Sequence, residues 1–288
     1  MEEPQPARLS PRTLPSWKGA AVVKIIRPIL CDLKIAILLG GVAIVGGNLP
    51  ASSQDVSHTC VSPTAFTTFN YPLAHTAERV IEAQPIKVVA IGSSSTAGSG
   101  ASSSTATYPG RLTIFLQEKF PRNSITVLNR GVNGDEAVNM VVRFERDVID
   151  EHPNLVLWQI GTNVVLRDHP LNAQATLLNA GLKRLKAAGA DVVLINPQYA
   201  PKVLEKPAIN MMIDLISNTA EMEQVNLFNR FAIMRYWQTQ AGISFTDFLS
   251  ADLLHMNDWS YNCVAKLLSI AIADASLDTL TRSAKPRR

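Results

Sequence analysis

From Ile86 onward the chain alternates short apolar runs with longer stretches whose apolar residues recur at helical spacing, and few folds accept that pattern. Residues 87–91, 125–128, 155–160, 191–195 and 225–228 read as strands, with helices over 111–120, 136–149, 173–187, 209–222 and 265–275 between and after them. A strand buried on both faces reads as a continuous apolar run. Parallel neighbours need crossovers long enough to hold a helix. The expectation is one α/β domain, a parallel sheet of about five strands with helices on both faces. At 288 residues and 47% hydrophobic, the chain has material for one large core. Ligands of such sheets bind beyond the carboxyl ends of the strands, so the residues just after each run become the candidates for chemistry.

The termini differ from this body. Residues 1–50 hold six Lys and Arg against three acidic residues, a surplus of +3 that equals the net charge of the whole chain. The remainder is formally neutral, which argues against a nucleic-acid partner, since that needs a clustered basic face. The basic leader runs into the uncharged apolar residues 35–47 and then Asn48-Leu49-Pro50-Ala51-Ser52-Ser53, the order of a secretory signal or an uncleaved anchor. Residues 1–54 are therefore read as a leader that places the body outside the cytoplasm, with the membrane engaged through that segment alone. Residues 55–84 form an N-terminal extension with a short helix over 73–83. Residues 85–280 form the domain, and 281–288 a basic tail. Cys31 precedes the apolar run, which argues against lipidation. Cys60 and Cys263 remain, either as one disulfide in an oxidising compartment or as two separate thiols. The Cys and His spacings fit no metal site, and no cofactor is expected.

Four stretches stand out at the rim. Gly92-Ser93-Ser94-Ser95-Thr96 follows the first strand, Asn129-Arg130-Gly131-Val132-Asn133-Gly134 the second and Gly161-Thr162-Asn163 the third. Asp252-Leu253-Leu254-His255 lies shortly before the final helix. By composition residues 92–107 could be a linker, but their place between a strand and a helix favours a hydroxyl projecting into the crevice. They lack the Gly-Lys-Ser/Thr of a phosphate loop and the Gly-x-Ser-x-Gly of a nucleophile elbow. Ser93, Ser94 and Ser95 are all possible nucleophiles at this point, and Asp247 and Asp258 rival Asp252 as the carboxylate partner of His255.

The four stretches, in this order, resemble the conserved blocks of the SGNH (GDSL-type) esterases and lipases over about residues 86–275. The resemblance implies a flavodoxin-like three-layer α/β/α sandwich. It implies Ser94 as nucleophile, with His255 and Asp252 completing a triad. The oxyanion would be held by the Ser94 and Gly131 N–H groups and the Asn163 side chain. Two positions depart from the family pattern: Ser93 and Val164 stand where Asp is usual.

Each role has a physical reason. A serine hydroxyl is a weak nucleophile until a base takes its proton. Histidine ordinarily titrates near pH ~6.5, and a carboxylate can fix its tautomer. The resemblance, taken with the compartment, implies hydrolysis of small acyl esters, O-acetyl groups on carbohydrate above all. A lysophospholipase or thioesterase, or a non-catalytic carbohydrate-binding module, are the alternatives.

Overall fold

Five parallel strands, β1 (Ile86–Gly92), β2 (Ile125–Gly131), β3 (Leu155–Gln159), β4 (Asp191–Ile195) and β5 (Asn226–Phe228), form one sheet in the order β2-β1-β3-β4-β5. This is the flavodoxin-like order, and it reverses direction beside β1. The computed structural model describes residues 58–283; the leader, with its apolar run, Cys31 and any cleavage point, lies outside the described residues. Every residue of β3 is buried, whereas only Ile125 of the edge strand β2 is buried and the rest are half-buried or exposed. The sheet is covered by α1 (Ala74–Ile81), α2 (Ser94–Ala97), α3 (Tyr108–Lys119), α4 (Ala137–Val142), α5 (Phe144–Asp147), α6 (Thr162–Leu166), α7 (Gln174–Ala187), α8 (Pro201–Leu204), α9 (Ile209–Met222), α10 (Arg230–Thr239), α11 (Phe245–Phe248) and α12 (Asp258–Ser283).

Sheet and long helices fall where the periodicity puts them, with three instructive differences. The single helix expected over 136–149 is broken at Arg143. The Arg143 guanidinium donates to Asp135 Oδ2 at 2.9 Å, Asp147 Oδ2 at 2.7 Å and the Gly92 carbonyl at 3.3 Å. α10 was not expected. Asn229 caps it by accepting the Ala232 N–H at 3.1 Å, and its buried Ile233, Met234 and Trp237 carry the packing. α12 begins at Asp258, well before the expected residue 265, and Asp258 at its start accepts the Ser102 N–H at 2.8 Å.

Residues 58–84 are fastened to the same core. The Asn226 side chain on β5 exchanges two hydrogen bonds with the Tyr71 backbone, at 2.9 and 2.8 Å. Asp191 accepts the Thr76 N–H and hydroxyl, both at 2.8 Å, at the start of α1. Burial raises the Asp191 carboxyl above its ordinary value, against these hydrogen bonds. Cys60 and Cys263 are joined as a disulfide, with Cα atoms 5.4 Å apart. Beside it Trp259 and Trp237 donate their ring N–H groups to the His58 and Val61 carbonyls, each at 2.9 Å. No helix among the described residues is long and apolar enough to cross a membrane.

Candidate active site

The end of β1 delivers Ser94 to the first position of α2, where its N–H has no intrahelical acceptor. Its hydroxyl is half-buried and lies 2.8 Å from His255 Nε2. Both neighbouring serines point inward. Ser93 is 2% exposed and donates its hydroxyl to Gln159 Oε1 at 3.0 Å, while Ser95 is 1% exposed. Of the three possible nucleophiles, Ser94 is the one that meets the imidazole.

His255 and Asp252 share a tight loop closed by a bridge between Leu249 and Met256 and by the Ser250 N–H on the His255 carbonyl at 2.8 Å. Leu253, at the tip, adopts φ 53°, a left-handed conformation that an L-leucine enters at a cost. The Asp252 side chain organises the loop. Oδ1 accepts the Leu254 N–H at 3.0 Å, the His255 N–H at 2.9 Å and the Ser250 hydroxyl at 2.8 Å, and Oδ2 lies 2.5 Å from His255 Nδ1. Desolvation pushes the Asp252 carboxyl up, but these four hydrogen bonds together outweigh it and hold the carboxyl well below the usual carboxylate range. The rival carboxylates are engaged elsewhere. Asp247 accepts the Ser244 hydroxyl at 2.6 Å and faces His58, and Asp258 holds Ser102.

The Gly131 N–H, expected to face an oxyanion, is instead given to Asn129 Oδ1 at 2.9 Å. Gly131 is needed for close approach: a Cβ there would sit 2.1 Å from the Ala97 nitrogen of α2. Gly134 contrasts with it. It occupies φ +82° in the turn closed by the Asp135 N–H on the Val132 carbonyl, and its N–H has no acceptor among the described residues. The Asn133-Gly134 pair is a turn signature, so this second glycine was visible in the sequence as a backbone position needing positive φ.

Asn163, near the start of α6, donates one Nδ2 hydrogen to the Asp135 carbonyl at 2.9 Å, which keeps its amide beside the Gly134 turn, and the other hydrogen has no acceptor among the described residues. The two departures from the family pattern are accommodated. Val164 is buried, and Ser93 gives both N–H and hydroxyl to Gln159 Oε1, at 2.9 and 3.0 Å. Arg167 and His169 flank the turn and share Glu136, at 2.6 and 3.0 Å. Desolvation opposes the charged form of Glu136, but its hydrogen bonds with Arg167 and His169 lower the carboxyl below its ordinary value.

Sheet order and site together define the class, a flavodoxin-like α/β sandwich with serine, histidine and aspartate linked in series at the carboxyl rim. Residues 59–278 match the model of the non-GDSL lipase-like family, and the chain belongs to that family. The description suits a first block that reads Gly92-Ser93-Ser94-Ser95 where Gly-Asp-Ser-Leu would stand. The chain is 31% identical over 108 residues to an arylesterase of Vibrio mimicus, 37% of this chain and 53% of that relative, so the match spans about half of the relative's length. Among solved structures it is similar to a two-domain esterase active on acetylated mannans, at 17% identity and a TM-score of 0.64, over 76% of this chain and 58% of that one. It is also similar to an acetylxylan esterase from Geobacillus stearothermophilus, at 20% identity and a TM-score of 0.53, over 67% of this chain and 94% of that one. At such identities the likeness establishes the fold.

A cleft of about 350 Å³ lined by Phe66, Tyr71, Glu221 and Asn229 runs along the β5 edge, separated from β1 by β3 and β4, and includes none of the four blocks. Among the described residues no group of three or more His, Cys, Asp and Glu is placed to hold a metal ion.

Proposed function

We propose that this chain is an extracytoplasmic serine ester hydrolase that removes small acyl groups, O-acetyl above all, from carbohydrate. The observation that carries the chemistry is the continuous contact from Ser94 Oγ to His255 Nε2 at 2.8 Å and from His255 Nδ1 to Asp252 at 2.5 Å. In the reaction His255 takes the Ser94 proton as Oγ bonds to the acyl carbon. The carbonyl oxygen becomes an oxyanion, met by the N–H groups of Ser94 and Gly134 and by the free hydrogen of the Asn163 amide. Collapse of the intermediate breaks the ester bond, and His255 gives its proton to the departing alcohol. Water then attacks the acyl-Ser94 ester with His255 as base, releasing the carboxylic acid and restoring the hydroxyl. Asp252 stays charged and holds the Nδ1 proton in place.

The carbohydrate assignment draws on the substrates of the two structural neighbours, and the compartment on the basic and apolar leader with the Cys60–Cys263 bond. Purified protein should release acetate from acetylated xylan and mannan oligosaccharides faster than it cleaves longer p-nitrophenyl esters. A preference for longer acyl chains would redirect the proposal to a lipid substrate, and no turnover on any ester would end it.

Two further outcomes are expected. Asn163→Ala removes one oxyanion donor and should lower kcat by about 10²–10³-fold with a much smaller change in KM. The rate should climb with pH as the base loses its proton and then level off. Because the Asp252 carboxyl is held below the usual carboxylate range, it is charged across that rise, and a single ionisation should describe it. A flat profile from about pH 5 to 8 would remove the imidazole base from the scheme.

A further inference from the structure

One buried cation has no carboxylate partner among the described residues. Arg230, at the start of α10, is 0% exposed. Its Nε donates to the Asn196 carbonyl at 3.1 Å and its Nη2 to Gln198 Oε1 at 3.0 Å, while Nη1 has no partner among the described residues. Burial lowers its pKa to about 10, still far above neutral pH, so every N–H of the guanidinium remains a donor. Gln198, in the loop after β4, is 1% exposed and has three contacts. Its Oε1 accepts from Arg230 and from the Thr162 hydroxyl at 3.0 Å, and its Nε2 donates to the Leu254 carbonyl at 3.3 Å. Thr162 directly precedes Asn163, and Leu254 lies between Asp252 and His255. One amide therefore ties the oxyanion side of the site to the acid–base side.

The orientation of that amide is not free. A guanidinium can only donate, so Arg230 forces the carbonyl end of Gln198 toward itself and leaves the amino end for Leu254. A flipped amide would set two donors against each other at Arg230 and two carbonyl oxygens against each other at Leu254. Asn196 fixes the guanidinium in turn, since its carbonyl accepts Nε and its side-chain oxygen accepts the Phe231 N–H at 3.0 Å. We infer that Gln198, with its amide oriented by Arg230, is a positioning residue that sets the His255 loop relative to Asn163. The inference rests on the reading of Ser94, His255 and Asp252 as the catalytic triad. A residue of this kind touches no substrate. Its loss shows as a displaced base, and displacements on the order of 1 Å can cost about 10²-fold in rate.

Gln198→Glu separates positioning from simple packing. The glutamate keeps the shape and pairs well with Arg230, yet presents an oxygen to the Leu254 carbonyl in place of a donor. Expected results are a melting temperature within a few degrees of wild type, kcat lowered about 10–100-fold and KM within about threefold. The downfield proton signal of the His255–Asp252 pair should be shifted or broadened. Gln198→Met, which keeps the volume without the hydrogen bonds, provides the same readouts if the glutamate variant fails to fold. Wild-type kcat with an unmoved proton signal in either folded variant would overturn the inference while leaving the esterase reading intact. If wild-type protein hydrolyses no ester, the esterase reading fails. The proton signal then decides the positioning claim alone, upheld if it moves in the variant and overturned if it does not.

Discussion

Ser94→Ala should abolish ester hydrolysis, lowering kcat on p-nitrophenyl acetate by about 10⁴–10⁶-fold while the melting temperature stays close to that of the parent protein. The size of the effect follows from the proposed reaction, in which the hydroxyl 2.8 Å from His255 Nε2 forms the acyl bond. Stability should hold because Ser94 is half-buried at the first position of α2 and packs no core. Ser93→Ala and Ser95→Ala reverse that pattern. Both side chains face inward, so their effects should appear in stability before they appear in turnover. Equal background rates in all three variants and the parent would remove the nucleophile from the scheme.

Replacing Cys60 and Cys263 together by serine should cost about 2–5 kcal/mol of folding stability. For a body of this size that corresponds to a melting point lower by about 5–15 °C, measurable by scanning calorimetry with and without reductant. The bond joins residues 203 apart in sequence, so it constrains a long loop in the unfolded chain. In the folded state it holds the segment whose His58 and Val61 carbonyls accept the Trp259 and Trp237 ring N–H groups. Release of that segment would leave two largely buried donors without acceptors, which adds to the loss. An unchanged melting point would mean that residues 58–73 are held as firmly by Asn226 and the indoles as by the bond.

The strands and longer helices were legible because each buries an uninterrupted apolar run or one apolar stripe, and both patterns are local. Helix α10 was missed since its first residue is an arginine, which in sequence reads as surface; only the fold supplies Asn196 and Gln198 to satisfy it. The break at Arg143 was invisible for a related reason. Its partners Asp135 and Gly92 come from other parts of the chain. Ser94, His255, Asp252 and Asn163 were each named from short motifs, and the structure brings Ser94 to His255 and His255 to Asp252. Gly131 shows the limit of a motif. A glycine written into a block can serve close packing against α2, while its neighbour Gly134 carries the open N–H.

The linear chain alone determined the parallel α/β layering, the order of the four blocks and a short set of candidate side chains, since periodicity and residue chemistry act over a few positions. Tertiary structure decided which of three serines faces the imidazole, which glycine N–H stays open, that Cys60 reaches Cys263 and that Gln198 couples the two sides of the site. Those outcomes depend on groups distant in sequence competing for the same donors and acceptors, and only the assembled core determines who wins.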